Sequence, residues 1–361
     1  MNRNLDEITL VIITYNRYSF LLRLLRFYQS YGFPTKILIL DSSSDSLADV
    51  ELSKLLEHPQ ITHQKFQADI FITHKISGGL KNVSTPFSVL CADDDYIIPT
   101  ALSPCVDFLK KHEDYVAAQG FYINHFLRKD SQGQPSFFWS PLYIAQRSVN
   151  MSCPLERFRF SLENFAGSIF YAVYRTQHLR LIWEETVLHV WDWGLSETLP
   201  MALSFLYGKL KILPILYSSR EANNYAWYTL EHLRQIYSVQ KCESAIKCMA
   251  EQISCQKGID RDSAYLVARE SLQVNLKRNF EKYLKKQRQD KTPRRFLLEN
   301  PVIRLGSKAY RFLKWLGIKA GYWLILAPQC AADFRRVKIS VLSANIGSEV
   351  INRIREEYSR K

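Results

Sequence analysis

No apolar run in this 361-residue chain approaches the roughly 20 residues that a helix needs to cross a bilayer. The longest candidate, residues 321–328, is far too short. Residues 1–7 are polar and offer no apolar signal-peptide core, so a cytoplasmic location is expected. The seven cysteines are odd in number, scattered, and never fall in a CxxC or Cys/His spacing suited to zinc, which points to reduced thiols. No GxGxxG follows the first apolar segment, which disfavours a dinucleotide-dependent oxidoreductase. Internal repeats and low-complexity tracts are also missing.

What is present is a chain able to fold around a sizeable core, with 47% hydrophobic and 13% aromatic residues. Its net charge of +13 is unevenly placed: between Lys277 and Lys319 fourteen Lys/Arg face only Glu281, Asp290 and Glu299. That stretch should meet something anionic.

Residues 8–14 form a nearly continuous apolar run rich in β-branched side chains, which predicts a strand buried on both faces of a parallel sheet. Phe20, Leu21, Leu24, Leu25 and Tyr28 then recur at helical spacing up to Gly32 and Pro34, and residues 36–40 read as a second buried strand. Strand, helix and strand in about 35 residues is a βαβ unit. A helix over 47–57, a short strand over 64–67, a helix over 70–83 and a strand over 87–91 follow, with Pro99 opening another helix. Residues 115–144 read as strands of mixed order, 164–175 as a further strand, and 191–207 as a loop leading into a helix that Gly208 stops. Beyond Tyr225 the sequence turns helical and basic, so the expected division is a catalytic domain over 1–222 and a helical, basic region over 223–361.

Ligands in open α/β sheets gather at the carboxyl ends of the strands. Thr14 to Arg17, Asp41 to Ser44 and Asp93 to Asp95 should therefore converge on one crevice. Three adjacent carboxylates raise one another's pKa unless a cation lies between them, and hard cations such as Mg²⁺ or Mn²⁺ prefer that oxygen chemistry. A bare triplet of aspartates also fits a solvated acidic loop; the placement directly after an apolar strand favours the metal reading. Asp41 with Ser42, Ser43 and Ser44 is equally good turn material, and Arg17 would suit a phosphate.

Four segments in order resemble the successive motifs of family 2-type glycosyltransferases: Val11-Ile-Ile-Thr-Tyr-Asn-Arg17, the strand ending in Asp41-Ser-Ser-Ser-Asp45, Gly78-Gly-Leu-Lys-Asn82, and Leu90-Cys-Ala-Asp-Asp-Asp95. The resemblance spans roughly residues 8–216 and implies an α/β GT-A fold with a mostly parallel Rossmann-like sheet and a helical basic C-terminal extension. By the same resemblance, Thr14, Tyr15, Asn16, Arg17, Asp41, Ser43, Gly79, Lys81, Asp93 and Asp94 would bind a nucleotide-sugar, a UDP-sugar first among them, with Asp41 on the base. Asp95 and Asp93 would hold the Mg²⁺ or Mn²⁺ ion. The chain departs from the family pattern where a pair of acids is usual: Glu197 is followed by Thr198. Glu197 is therefore the candidate base for an inverting transfer, with Asp192 second. The missing acid keeps open a catalytically silent GT-A-like module that only binds a nucleotide-sugar or a membrane.

Trp183, Trp191 and Trp193 lie near these acids and would either stack on sugar faces or pack in the core. Residues 304–319 place five cations within about a 140° arc of a helical wheel, opposite an apolar side. Residues 301–328 thus suit either peripheral contact with an anionic membrane or packing on the catalytic domain. Membrane contact would accord with a lipid-linked rather than a free glycan acceptor; no nucleic-acid motif is present.

Overall fold

The computed structural model describes residues 5–129, 135–141, 147–164, 169–222, 239–257, 259–291 and 352–357. The first half alternates strand and helix: β1 (Ile8–Thr14), α1 (Tyr18–Gln29), β2 (Lys36–Asp41), α2 (Val50–Leu56), β3 (Ile61–Lys65), α3 (Ile72–Leu80) and β4 (Phe87–Ala92). The short β5 (Tyr96–Ile97), α4 (Pro99–Lys111), β6 (Tyr115–Lys129), β7 (Pro135–Pro141), α5 (Pro154–Glu163) and β8 (Val173–Arg175) follow. Then come α6 (Thr176–His189), α7 (Thr198–Tyr207), β9 (Lys209–Glu221), α8 (Val239–Lys257) and α9 (Arg261–Lys291).

All nine strands among the described residues join one sheet in the order β3-β2-β1-β4-β8-β6-β9-β5, with β7 paired to β6. The β3-β2-β1-β4 portion is parallel, as are β6 and β9, while β8 is antiparallel to both β4 and β6. This is the α/β GT-A arrangement that the motif order implies. The strand expected over 64–67 lies earlier, in β3, and the described part of the strand expected over 164–175 is β8, because residues 169–172 form a turn closed by the Ala172 N–H on the Ile169 carbonyl.

Alternation along the buried strands divides the core. Val11, Ile13, Leu38 and Leu40 face one side, with α3, α6, α7, α8 and α9; Leu10, Ile12, Ile37 and Ile39 face the other, with α1, α2 and α4. Every residue of β1 is buried, as a strand covered on both faces by helices requires. Cys242, Ala245, Ile246, Met249, Ile253, Ala264, Ala268 and Leu272 of α8 and α9 belong to the same cluster as Val11 and Leu38. The described part of the helical extension therefore shares the core of the α/β sheet instead of forming one of its own. The stretch 352–357 closes the opposite face: Ile354 is fully buried there and Arg353 donates to the Ser30 carbonyl at 2.6 Å. Residues 301–328, with the proposed membrane-binding face, lie outside the described residues.

Thirteen residues long, β9 accommodates Pro214 because its pairing with β6 slips between Gln119 and Phe121. Gly120 lies under that irregularity, where a Cβ would come within 2.4 Å of the Ile215 carbonyl oxygen. The slip carries the end of β9 to the carboxyl edge of the parallel strands, beside β5.

Gly79, expected at the nucleotide, lies where α3 presses on β2: a Cβ there would meet the Leu40 methyl carbons at 2.3 and 2.5 Å. Gly79→Ala is expected to lower stability by about 1–3 kcal/mol through overpacking. Urea unfolding checks this, and an unchanged midpoint would show that α3 is free to move away from β2.

Candidate active site

The parallel register sets the site. Thr14 pairs with Asp41 across β1 and β2, and Ile13 pairs with Ala92 across β1 and β4, so Thr14, Asp41 and Asp93 leave the sheet at one level. The loop after β1 is tied to the loop after β2 by Asn16, whose backbone N–H donates to Ser43 Oγ at 2.8 Å and whose Oδ1 accepts from the Ser44 N–H at 2.8 Å. Asn16 takes a left-handed backbone, φ 51°, which Asn tolerates better than most residues. Tyr15, half exposed, donates to Asp69 at 2.7 Å on the loop before α3.

Asp41 is fully buried and saturated with donors: the Ser43 N–H at 2.8 Å, His63 Nε2 at 2.9 Å, and Tyr18 Oη and Lys65 Nζ at 3.0 Å each. Burial pushes its carboxyl up, but the hydrogen bonds from His63, Ser43 and Lys65 outweigh that and hold it well below the ordinary carboxylate range. Asp41 is therefore a fixed negative charge.

The three adjacent aspartates are distributed, not stacked. Asp93 accepts from Thr14 Oγ1 at 2.7 Å and from one Arg17 nitrogen, while the other Arg17 nitrogen reaches Asp94 at 3.0 Å. Asp95 turns toward the end of β9, where it accepts from the Glu221 N–H at 2.8 Å and pairs with Arg220 Nε at 3.3 Å. Burial raises Asp93 to about 7 against the pull of Arg17, and raises Asp95 to about 6 against the pull of Arg220; Asp94 pushes both upward. Burial thus outweighs the two arginines at both carboxylates. Among the described residues the triplet does not bring three ligand atoms within 4.8 Å of one another. As an all-oxygen donor set it fits a hard cation that takes one or two carboxylates and completes its shell with phosphate oxygen.

Lys75 was not among the residues expected from the motifs. It lies on α3, is only 3% exposed, and donates to the Thr14 carbonyl at 2.9 Å and Ser42 Oγ at 2.8 Å. Burial lowers it to about 8, opposed by Asp41 and Asp93. Lys81, the expected lysine, is exposed at the C-terminal cap of α3. Six helical residues turn roughly 240° past a full circle, so Lys75 and Lys81 cannot share a face, and it is Lys75 that reaches the crevice. Arg220 is the other residue missed; a basic residue ending a strand between Ser219 and Glu221 gives no signal without the strand order.

Glu197 stands exposed at the N-cap of α7 with no capping hydrogen bond, and its charge acts on Arg220, the partner of Asp95. Asp192 instead closes a turn, accepting from the Gly194 and Leu195 N–H groups at 2.8 and 3.1 Å. Thr198, where a second acid was missing, bonds the Gly194 carbonyl at 3.1 Å. The tryptophans part company: Trp183 is 1% exposed in the core, whereas Trp191 and Trp193 are 68% and 52% exposed. Trp191 packs on His74 at 4.6 Å between ring centres and Trp193 edge-on against Phe71 at 5.4 Å.

Residues 9–179 match glycosyl transferase family 2. No curated protein sequence matches the chain. Among solved structures, it is similar to S. aureus TarS, with 13% identity and a TM-score of 0.41 over 74% of this chain and 54% of that one, so it spans about half of that protein's length. It is also similar to S. aureus TarS 1-349 in complex with UDP-GlcNAc, with 14% identity, a TM-score of 0.43, and 78% of this chain and 92% of that one covered.

Asp93 and Asp95 ionise with more difficulty in the native state than in the unfolded chain, where carboxylates titrate near about 4. The native state therefore binds more protons between roughly pH 4 and pH 7, and stability there rises as pH falls. Thermal unfolding of the divalent-free protein is expected to shift upward from pH 8 to pH 5.5, and the shift should shrink in Asp93→Asn and Asp95→Asn. An equal shift in all three proteins would contradict the assignment.

Proposed function

We propose that the chain, whose residues 9–179 match glycosyl transferase family 2, transfers a sugar from a nucleoside-diphosphate-sugar to an acceptor hydroxyl, with inversion. The observation that supports this best is the common level of Thr14, Asp41 and Asp93, with Arg17 and Lys75 between them. That arrangement offers a base-binding carboxylate at one end and a buried lysine and a half-buried arginine with acids at the other.

In this reading the uracil N–H of a UDP-sugar meets Asp41, whose lowered pKa keeps it an acceptor at any ordinary pH. Asn16 and Ser43 shape the loop beside it. Lys75 spends two of its three donors on Thr14 and Ser42, and the third is directed to the diphosphate. Arg17 moves from Asp93 and Asp94 onto a phosphate as the donor binds. A Mg²⁺ or Mn²⁺ ion held by Asp95 and Asp93 would supply Lewis-acid stabilisation of the leaving diphosphate.

Glu197 takes the proton of the acceptor hydroxyl as its oxygen bonds to the anomeric carbon. The bond from that carbon to the β-phosphate oxygen breaks, and the electron pair leaves with the diphosphate. Charge growing there is met by Lys75 and Arg17. Trp191 and Trp193 present exposed ring faces next to Glu197 in sequence, which favours a glycan acceptor over a bare lipid. Residues 301–328 remain our candidate for membrane contact if that glycan is lipid-linked.

Donor consumption across a panel of nucleotide-sugars, with and without divalent cation and glycan acceptors, tests the reading. Asp95→Asn is expected to lower kcat by about 10²–10³-fold. Trp191→Ala and Trp193→Ala should raise the acceptor KM about five- to tenfold and leave the donor KM unchanged. No turnover of any donor, together with tight donor binding, would make the chain a nucleotide-sugar-binding module instead.

A further inference from the structure

On the face of the sheet that carries α6, α7 and α8, three metal-ligating side chains of different chemistry meet away from the crevice. Glu185 and His189 stand one turn apart on α6, and Cys248 faces them from α8. Their ligand atoms all lie within 4.8 Å of one another. Cys248 Sγ is 3.8 Å from Glu185 Oε2, and His189 Nε2 is 3.9 Å from the same oxygen. Ligands on a tetrahedral zinc ion with bonds of 2.0–2.3 Å lie roughly 3.3–3.8 Å apart, so Glu185 already stands near shell distance from both partners, while Cys248 and His189 lie within 4.8 Å of each other and would close on the ion.

Two further features suit a metal. His189 Nδ1 is hydrogen-bonded to Ser244 Oγ at 2.9 Å, which orients the ring and turns Nε2 to the cluster, as outer partners of ligating histidines do. A thiolate, a carboxylate and a neutral imidazole together carry the charge that neutralises one dication in a site with a buried and two half-buried members. The mixed sulfur, nitrogen and oxygen set suits Zn²⁺ and disfavours Mg²⁺. The spacing of the cysteines gave no hint of this, because the ligands come from two helices 59 residues apart in the chain at their nearest members, His189 and Cys248.

We propose that Glu185, His189 and Cys248 form a zinc site that clamps α8 to the end of α6, with water in the fourth position. His189 is the last residue of α6, and the loop it enters carries Trp191, Trp193 and Glu197. The clamp therefore fixes where that loop begins and ties it to the helical extension. It is separate from the acidic crevice and does not depend on the transfer reaction.

Co²⁺ substitution tests the site in the full, untagged chain after treatment with a chelator. One equivalent of Co²⁺ is expected to produce a thiolate-to-cobalt charge-transfer absorption that Zn²⁺ displaces. Cys248→Ala should abolish the band, and His189→Ala, at the accessible end of α6, should weaken Co²⁺ binding by at least tenfold while leaving the circular dichroism of the chain intact. Ser244→Ala should weaken it about tenfold, and Asp95→Asn should leave it unchanged. Zn²⁺ should raise the thermal midpoint of the parent chain and not that of His189→Ala. No charge-transfer band, a band that persists in Cys248→Ala, or equal Zn²⁺ stabilisation of the parent and His189→Ala would overturn the proposal.

Discussion

Three consecutive carboxylates buried at the end of a strand are the constraint around which the crevice is arranged. Left alone, Asp93, Asp94 and Asp95 would repel one another in a poorly solvated place. The chain answers by sending them to different partners: Asp93 to Thr14 and Arg17, Asp94 to Arg17, Asp95 to Arg220 and the Glu221 N–H. The partners come from the end of β1 with its loop and from the end of β9, so the acidic triplet, which follows β4, draws β1, β4 and β9 to a common edge. Burial, with the neighbouring Asp94 charge, still holds Asp93 and Asp95 above the ordinary carboxylate range against the pull of the two arginines.

That edge also explains the opposite behaviour of Asp41. It shares the register level of Thr14, yet its four donors are all contributed by its own neighbourhood on β2, β3 and α1. A carboxylate with so many donors stays ionised whatever happens next door, whereas the triplet can exchange its partners. One crevice thus holds a strongly acidic carboxylate at one end and carboxylates with raised pKa at the other, the distribution that the proposed nucleoside-diphosphate-sugar would meet.

On the face away from α1, the helices do more than cover the sheet. The chain packs α3 so closely on β2 that only Gly79 fits against Leu40, and this places Lys75 beneath Thr14. Farther along the same face, α6 and α8 meet at Glu185, His189 and Cys248, directly before the loop that bears Glu197. The helical extension is built into the core through Ile246, Met249 and Ile253, so the loop between α6 and α7 is braced from both sides.

The sequence by itself determined the parallel half of the sheet, since continuous β-branched runs ending in polar clusters specify buried strands, and such strands must expose their ends at one edge. It therefore identified Thr14 to Arg17, Asp41 and Asp93 to Asp95, all within the first hundred residues and all local to strand ends. Tertiary structure alone decided the rest. Arg220 reaches Asp95 across 125 positions because β9 slips past Gly120, and no local pattern encodes that slip. The choice of Lys75 over Lys81 depended on which side of α3 meets the sheet, and the burial of Trp183 beside the exposure of Trp191 and Trp193 depended on where α6 ends. Periodicity tells which residues share a face; only packing tells which face meets the crevice.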